Sequence, residues 1–234
     1  MARWEGWDVE LPREAILQRD GKTYAFIARL PAAGLLTPQI LRRLADVAEK
    51  YAIPAIKLSS AQRVVLAGVK PEDIPAIQQD LGAGLAPALG PCVHYVKACP
   101  GTTLCRLGQQ DSLALAARLD EMFIGKLDLP HKFKFGISGC PMNCSESYTL
   151  DFGAFGKARG WTVVVGGKGG ARPRLGQVLA DNVSSDEVVD LAGRVIAAYR
   201  ALGSGRERLA RTIERVGWEQ FRAAVLEPGQ VSSS

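Results

Sequence analysis

Residues 98–105, ACPGTTLC, and residues 136–144, GISGCPMNC, carry four of the chain's five cysteines on two short stretches rich in glycine and proline. Cys99 and Cys105 are separated by five residues, Cys140 and Cys144 by three. A cubane iron–sulfur cluster needs four thiolates converging on the corners of a small body, and two local pairs from separate loops meet that demand. Glycine lets the backbone come close to such a body, and proline stiffens the turn. Structural zinc usually takes cysteine pairs with about two to four residues between them, which the first pair fits poorly. A buried inert thiol is the ordinary state of a lone cysteine, and Cys92 is read that way.

Upstream of the cysteines, Lys22–Leu30 alternates as a strand, and Thr37-Pro38 opens a helix with Thr37 as its cap. Ile40, Leu41, Leu44, Val47 and Ala48 continue that helix at helical spacing. Two strand-like runs follow, Ala55–Leu58 and Arg63–Val69, around Ser59-Ser60-Ala61-Gln62, and Pro71 opens a second helix through Leu81. This β-α-β-β-α order is half of a ferredoxin-like unit, placed over residues 1–85. Residues 82–91, GAGLAPALGP, read as a hinge.

Downstream, helical periodicity runs from Gln109 to Phe123, strands from Lys132 to Ile137 and Trp161 to Val165, and a helical stretch from Ser184 to Leu226. The tail PGQVSSS reads as frayed. The expected class is therefore α+β, with a second, α/β domain over residues 92–234 that holds the cysteines.

Composition narrows the function. The chain has 234 residues, 47% of them hydrophobic, and a net charge of +5. That suits a globular protein and favours anions or an acidic partner. No apolar run of about 18 residues predicts a membrane span, and residues 1–14 lack a secretory signal's apolar core. A cytoplasmic chain with reduced thiols follows. No dense basic run with interleaved aromatics points to nucleic acid. GGKGG at 166–170 is not a dinucleotide fingerprint, so no flavin or nicotinamide site is visible and electrons must come from outside.

The two cysteine stretches resemble the siroheme- and cluster-binding signature of sulfite and nitrite reductases. Lys57–Val69 (KLSSAQRVVLAGV) resembles the motif that precedes it there. LPHKFKFGISGCPMNC is similar to the siroheme module of NADH-dependent nitrite reductases, and RLARTIERVGWEQF, from Arg208, to the family's last helix. The resemblance implies that Cys99, Cys105, Cys140 and Cys144 hold a [4Fe–4S] cluster and that Cys144 bridges it to the siroheme iron. It implies a six-electron reduction of sulfite or nitrite fed by an external low-potential donor such as ferredoxin.

Siroheme is rich in carboxylates and the substrates are anions, so basic side chains should line the site. Lys57, Gln62, Arg63, Lys97, Arg106 and Asn143 are the expected cofactor contacts, and Arg63, Lys132 and Lys134 the catalytic groups. Lys168, Arg172 and Arg174 are balanced between that role and a solvated surface. His94 and His131 read as surface histidines.

The family's larger enzymes contain two copies of this module, and their first copy carries a Thr-Thr-Arg-Gln motif whose arginine touches substrate. Here Ala61 stands at that place, while Lys-Phe-Lys shares a copy with the cysteines. Two chains are therefore expected to pair, one protomer's Lys132 and Lys134 reaching the other's siroheme. The loss of that arginine keeps open a non-catalytic protein that carries electrons or handles siroheme. A cluster-only module binding DNA or protein is a third reading, disfavoured by the lack of a recognition motif.

Overall fold

The computed structural model describes residues 15–30, 32–82, 85, 90–125 and 128–227. The readings made for residues 1–14, for most of the 82–91 hinge and for the tail from residue 228 lie outside them. The chain divides into two compact units, Met1–Leu89 and Gly90–Ser234.

Unit one contains strands β1 (Ala15–Leu17), β2 (Tyr24–Ala28), β3 (Ala55–Leu58) and β4 (Val64–Val69), with helices α1 (Pro38–Lys50) and α2 (Ile74–Leu81). The strands form an antiparallel sheet in the order β1-β2-β4-β3. Thr37 caps α1 by accepting the Ile40 N–H at 3.3 Å, and Pro38 fills the first helical position, where no N–H is needed. One face of the alternating strands (Phe26, Ala28, Val64, Leu66) packs on Leu44 and Val47 of α1 and Ile74, Ile77 and Leu81 of α2. Pro71 starts a 3-10 turn, and the α-helix itself begins three residues later at Ile74. The short β1, which the sequence reading passed over, pairs with β2 at one edge, while β3 is the opposite, fully exposed edge.

Unit two builds a second sheet in the order β5-β6-β7-β8-β9, comprising β5 (Val93–Ala98), β6 (Phe133–Ser138), β7 (Phe152–Lys157), β8 (Gly160–Val165) and β9 (Gln177–Val183). The first three strands are parallel and the last two antiparallel. Helices α3 (Gly101–Leu104) and α4 (Ser112–Phe123) follow β5, and α5 (Ser185–Leu202), α6 (Leu209–Val216) and α7 (Trp218–Leu226) follow β9. Aromatic rings tie the sheet to its helices: Phe135 stacks on Phe123 of α4 at 5.9 Å, and Phe133 lies 6.1 Å from Tyr199 of α5.

Strands β5, β7 and β9 were not singled out from the sequence, since His94 and Lys97 interrupt the first and Gly153 and Gly156 dilute the second. The single helical stretch expected from Ser184 to Leu226 is three helices, broken at Gly203 and at Gly217, whose φ is 89°. Ser184 and Glu187 close a reciprocal capping box at its start.

Candidate metal and cofactor site

Parallel pairing of β5 and β6 sets Ala98 beside Ile137, so the loops leaving both strands emerge at one edge of the sheet. Cys99 follows β5 directly and Cys105 terminates α3. Cys140 and Cys144 lie on the loop after β6. The two loops are laced together. The Cys99 N–H donates to the Ile137 carbonyl at 3.1 Å, and the Gly139 N–H donates to the Cys99 Sγ at 3.0 Å. Gln109 and Gln110 both donate their N–H groups to the Gly139 carbonyl, at 2.8 and 2.9 Å. Glycine is required here: a Cβ on Gly139 would fall 2.6 Å from the Gly101 Cα.

Cys140 is buried, Cys99 and Cys105 are half-buried, and Cys144 is exposed. Among the described residues no three His, Cys, Asp or Glu side chains gather as the ligands of one metal ion. The chemistry of the donors fits a cluster: thiols alone, in backbone cradles, with an N–H already aimed at one sulfur.

A hydroxyl and amide lattice holds the second loop. Asn143, at φ 54°, accepts the Ser147 N–H on its side-chain oxygen at 2.9 Å and the Ser138 hydroxyl at 3.3 Å. Ser138 accepts the Ser145 N–H at 3.0 Å. The following segment, Ser145–Leu150, then folds onto the face of β6 and β7, where a Cβ on Gly153 would meet the Ser147 carbonyl oxygen at 2.1 Å. The buried Ser145 hydroxyl, next to Cys144, has no hydrogen-bond partner among the described residues and is a donor available to a bound group.

The basic residues divide by place. Lys97, nearly buried on β5, reaches Glu146 of the cysteine loop at 3.2 Å. Lys134 of β6 lies over the Tyr95 ring at 5.5 Å, on the same sheet face. Arg106 is exposed just after Cys105. Arg174 is paired with Glu214 beside an open groove of about 500 Å³ that Trp218 and Ile213 line, away from the cysteine loops. His94 bonds the Gly90 carbonyl at 2.6 Å.

In unit one, Lys57 is exposed on β3, with its Nζ donating to the Leu58 carbonyl at 2.7 Å. Gln62 occupies the β3–β4 turn at φ 55°, and Arg63 is buried with its N–H on the Ser59 hydroxyl at 3.2 Å.

Two charged residues of this region escaped the sequence reading. Asp151, fully buried at the start of β7, is gripped by the Arg208 guanidinium, with Nη2 at 2.7 and 2.9 Å from its two oxygens. The β6–β7 register, with Phe135 opposite Phe152, sets Asp151 beside Lys134. Burial raises the Asp151 carboxyl above the usual carboxylate range, against the pull of Arg208. Burial and then Arg208 hold the Lys132 ammonium below the ordinary lysine value. Burial and then Lys132 likewise lower His131, whose Nδ1 accepts the Lys132 N–H at 2.7 Å. Asp151 lies in no motif, and Arg208 only opens the run that resembles the family's last helix, which names no partner for it.

This arrangement defines a chain of the nitrite and sulfite reductase class. The family's 4Fe-4S domain, "Nitrite and sulphite reductase 4Fe-4S domain", matches residues 89–231, and its "ferredoxin-like half domain" matches residues 16–84. The chain belongs to this family: it is an oxidoreductase whose cofactors are siroheme and a [4Fe–4S] cluster. Among its relatives, the assimilatory-type sulfite reductase of Nitratidesulfovibrio vulgaris is 46% identical over 92% of this chain and 98% of that protein. The NAD(P)H nitrite reductase of Bacillus subtilis is 39% identical over 92% of this chain but only 26% of that protein. In fold, it is similar to dissimilatory sulfite reductase I, with a TM-score of 0.79 at 18% identity over 90% of this chain and 71% of the other.

Proposed function

We propose that this chain reduces sulfite to sulfide in a six-electron reaction, with nitrite to ammonia as a second reaction, using an external low-potential donor such as ferredoxin. One observation carries the preference for sulfite. The relative named a sulfite reductase is matched over 98% of its length, whereas the nitrite reductase is matched over 26% of its own.

When bound, siroheme would supply the iron at which a small anion is reduced, and the cluster would supply electrons to it. The chain's residues do the rest. Cys99, Cys105, Cys140 and Cys144 would hold the cluster, and Cys144, with its exposed thiol, would be the one that also reaches siroheme. Lys97, Arg106 and Asn143 of unit two are cofactor contacts, as are Lys57, Gln62 and Arg63 of unit one. Lys132 and Lys134, with Arg63, hold the anion. A desolvated Lys132 gives up its proton more readily than a solvated lysine, which suits a donor to the reacting oxygens. Reduced thiols fit a cytoplasmic setting, and the net charge of +5 favours an acidic donor.

The test is an anaerobic absorption spectrum of the purified protein with acid–acetone extraction of pigment, followed by turnover with reduced methyl viologen. Siroheme bands and sulfide formation are expected. Siroheme without turnover of either anion would favour the second reading, a non-catalytic siroheme and iron–sulfur protein, which Ala61 in place of the family arginine supports.

A further inference from the structure

A buried carboxylate is costly unless paired, and replacing a buried ion pair by apolar residues is often neutral or stabilising. The Asp151–Arg208 pair therefore needs an explanation other than net stability. Its position supplies one. Asp151 immediately precedes β7, and the register of Phe135 opposite Phe152 sets it beside the first residues of β6. It holds a guanidinium delivered by the turn before α6, which is 57 residues away in sequence. The same turn is anchored independently. Glu207 accepts the Arg215 Nη2 at 2.8 Å and the Thr212 hydroxyl at 3.1 Å, and its carbonyl accepts the Tyr199 hydroxyl at 2.5 Å. Tyr199 in turn packs on Phe133, between the two lysines.

We propose that Asp151 and Arg208 are a positioning pair for Lys132 and Lys134: the carboxylate lies beside Lys134 at the start of β6, and the guanidinium it holds sets the charge beside Lys132. The proposal rests on the reading of those amines as anion-handling groups. Arg208 and Asp151 act on Lys132, while its chain neighbour His131, which accepts the Lys132 N–H, is acted on by Lys132, Arg206, Arg208 and Lys134. Within that set the pair acts on Lys132 in opposite senses. The Arg208 cation disfavours a second positive charge, and the Asp151 anion favours it.

Opposite senses make the test selective. In the cofactor-loaded protein, the reactivity of Lys132 toward limiting acetic anhydride is followed against pH by peptide mass spectrometry. The midpoint pH reports the amine's own proton affinity, whatever its access. In Asp151→Asn the midpoint should fall, and in Arg208→Gln it should rise, each by about half a unit to one unit. Arg208→Lys keeps the charge and should restore the midpoint to within about 0.3 units of the parent. Midpoints that move the same way in both charge-removing variants, or that do not move, would overturn the proposal even if both variants lose melting temperature. Opposite shifts combined with undiminished turnover in Lys132→Ala would uphold the pair and discard the catalytic reading of Lys132 instead.

Discussion

Each cluster cysteine is a separate test of the site. Changing Cys99, Cys105 or Cys140 to Ser removes one thiolate from the proposed four-ligand cradle, and iron and acid-labile sulfide in the anaerobically purified protein should fall to a small fraction of the parent. Cys144→Ser is expected to alter the siroheme absorption bands as well, because its exposed thiol is the one proposed to be shared. His131 sets a pH response. Its folded-state proton affinity lies below the ordinary histidine value, so the unfolded chain takes up the proton first as pH falls. The stability tied to the neutral ring is fully present above about pH 6.5 and is lost progressively below it. Thermal melts between about pH 5 and 8 should show this slope, and His131→Gln should flatten it.

At the level of elements, the close approach of the two cysteine loops depends on the absence of side chains. Gly139→Ala drives a Cβ to 2.6 Å from the Gly101 Cα, with both partners backbone and neither able to swing aside. A cost of about 1–3 kcal/mol is expected, together with reduced cluster content at unchanged secondary structure by circular dichroism. The capping box of α5 offers a contrast remote from the site. Ser184→Ala removes the acceptor for the Glu187 N–H and should cost about 1 kcal/mol, read as a melting shift of about 2–4 °C, with the cofactor spectrum unaltered.

For the whole molecule, the decisive question is whether one chain supplies both the cluster and the anion-handling amines of a single centre. Pairing of two chains predicts complementation. Co-expressed Cys144→Ala and Lys132→Ala/Lys134→Ala chains should recover sulfite reduction that neither shows alone, in a species of dimer mass by light scattering. A fully active monomer would end the pairing idea.

The presence of a [4Fe–4S] cluster was legible in the sequence because thiolate chemistry is local. Four thiols at fixed spacings, flanked by Gly101, Gly139, Pro100 and Pro141, limit what can be held before any fold is known. Capping at Thr37 was legible for the same reason, since the cap is satisfied within its own first turn. Strands β5, β7 and β9 were not, because a strand interrupted by lysine or diluted by glycine is stabilised by its neighbours in the sheet rather than by its own pattern. Asp151 and Arg208 were hidden more deeply still. Their pairing leaves no periodicity and no motif, and only the packing of the residue before β7 against the turn before α6 takes the carboxylate out of water and makes each the other's partner.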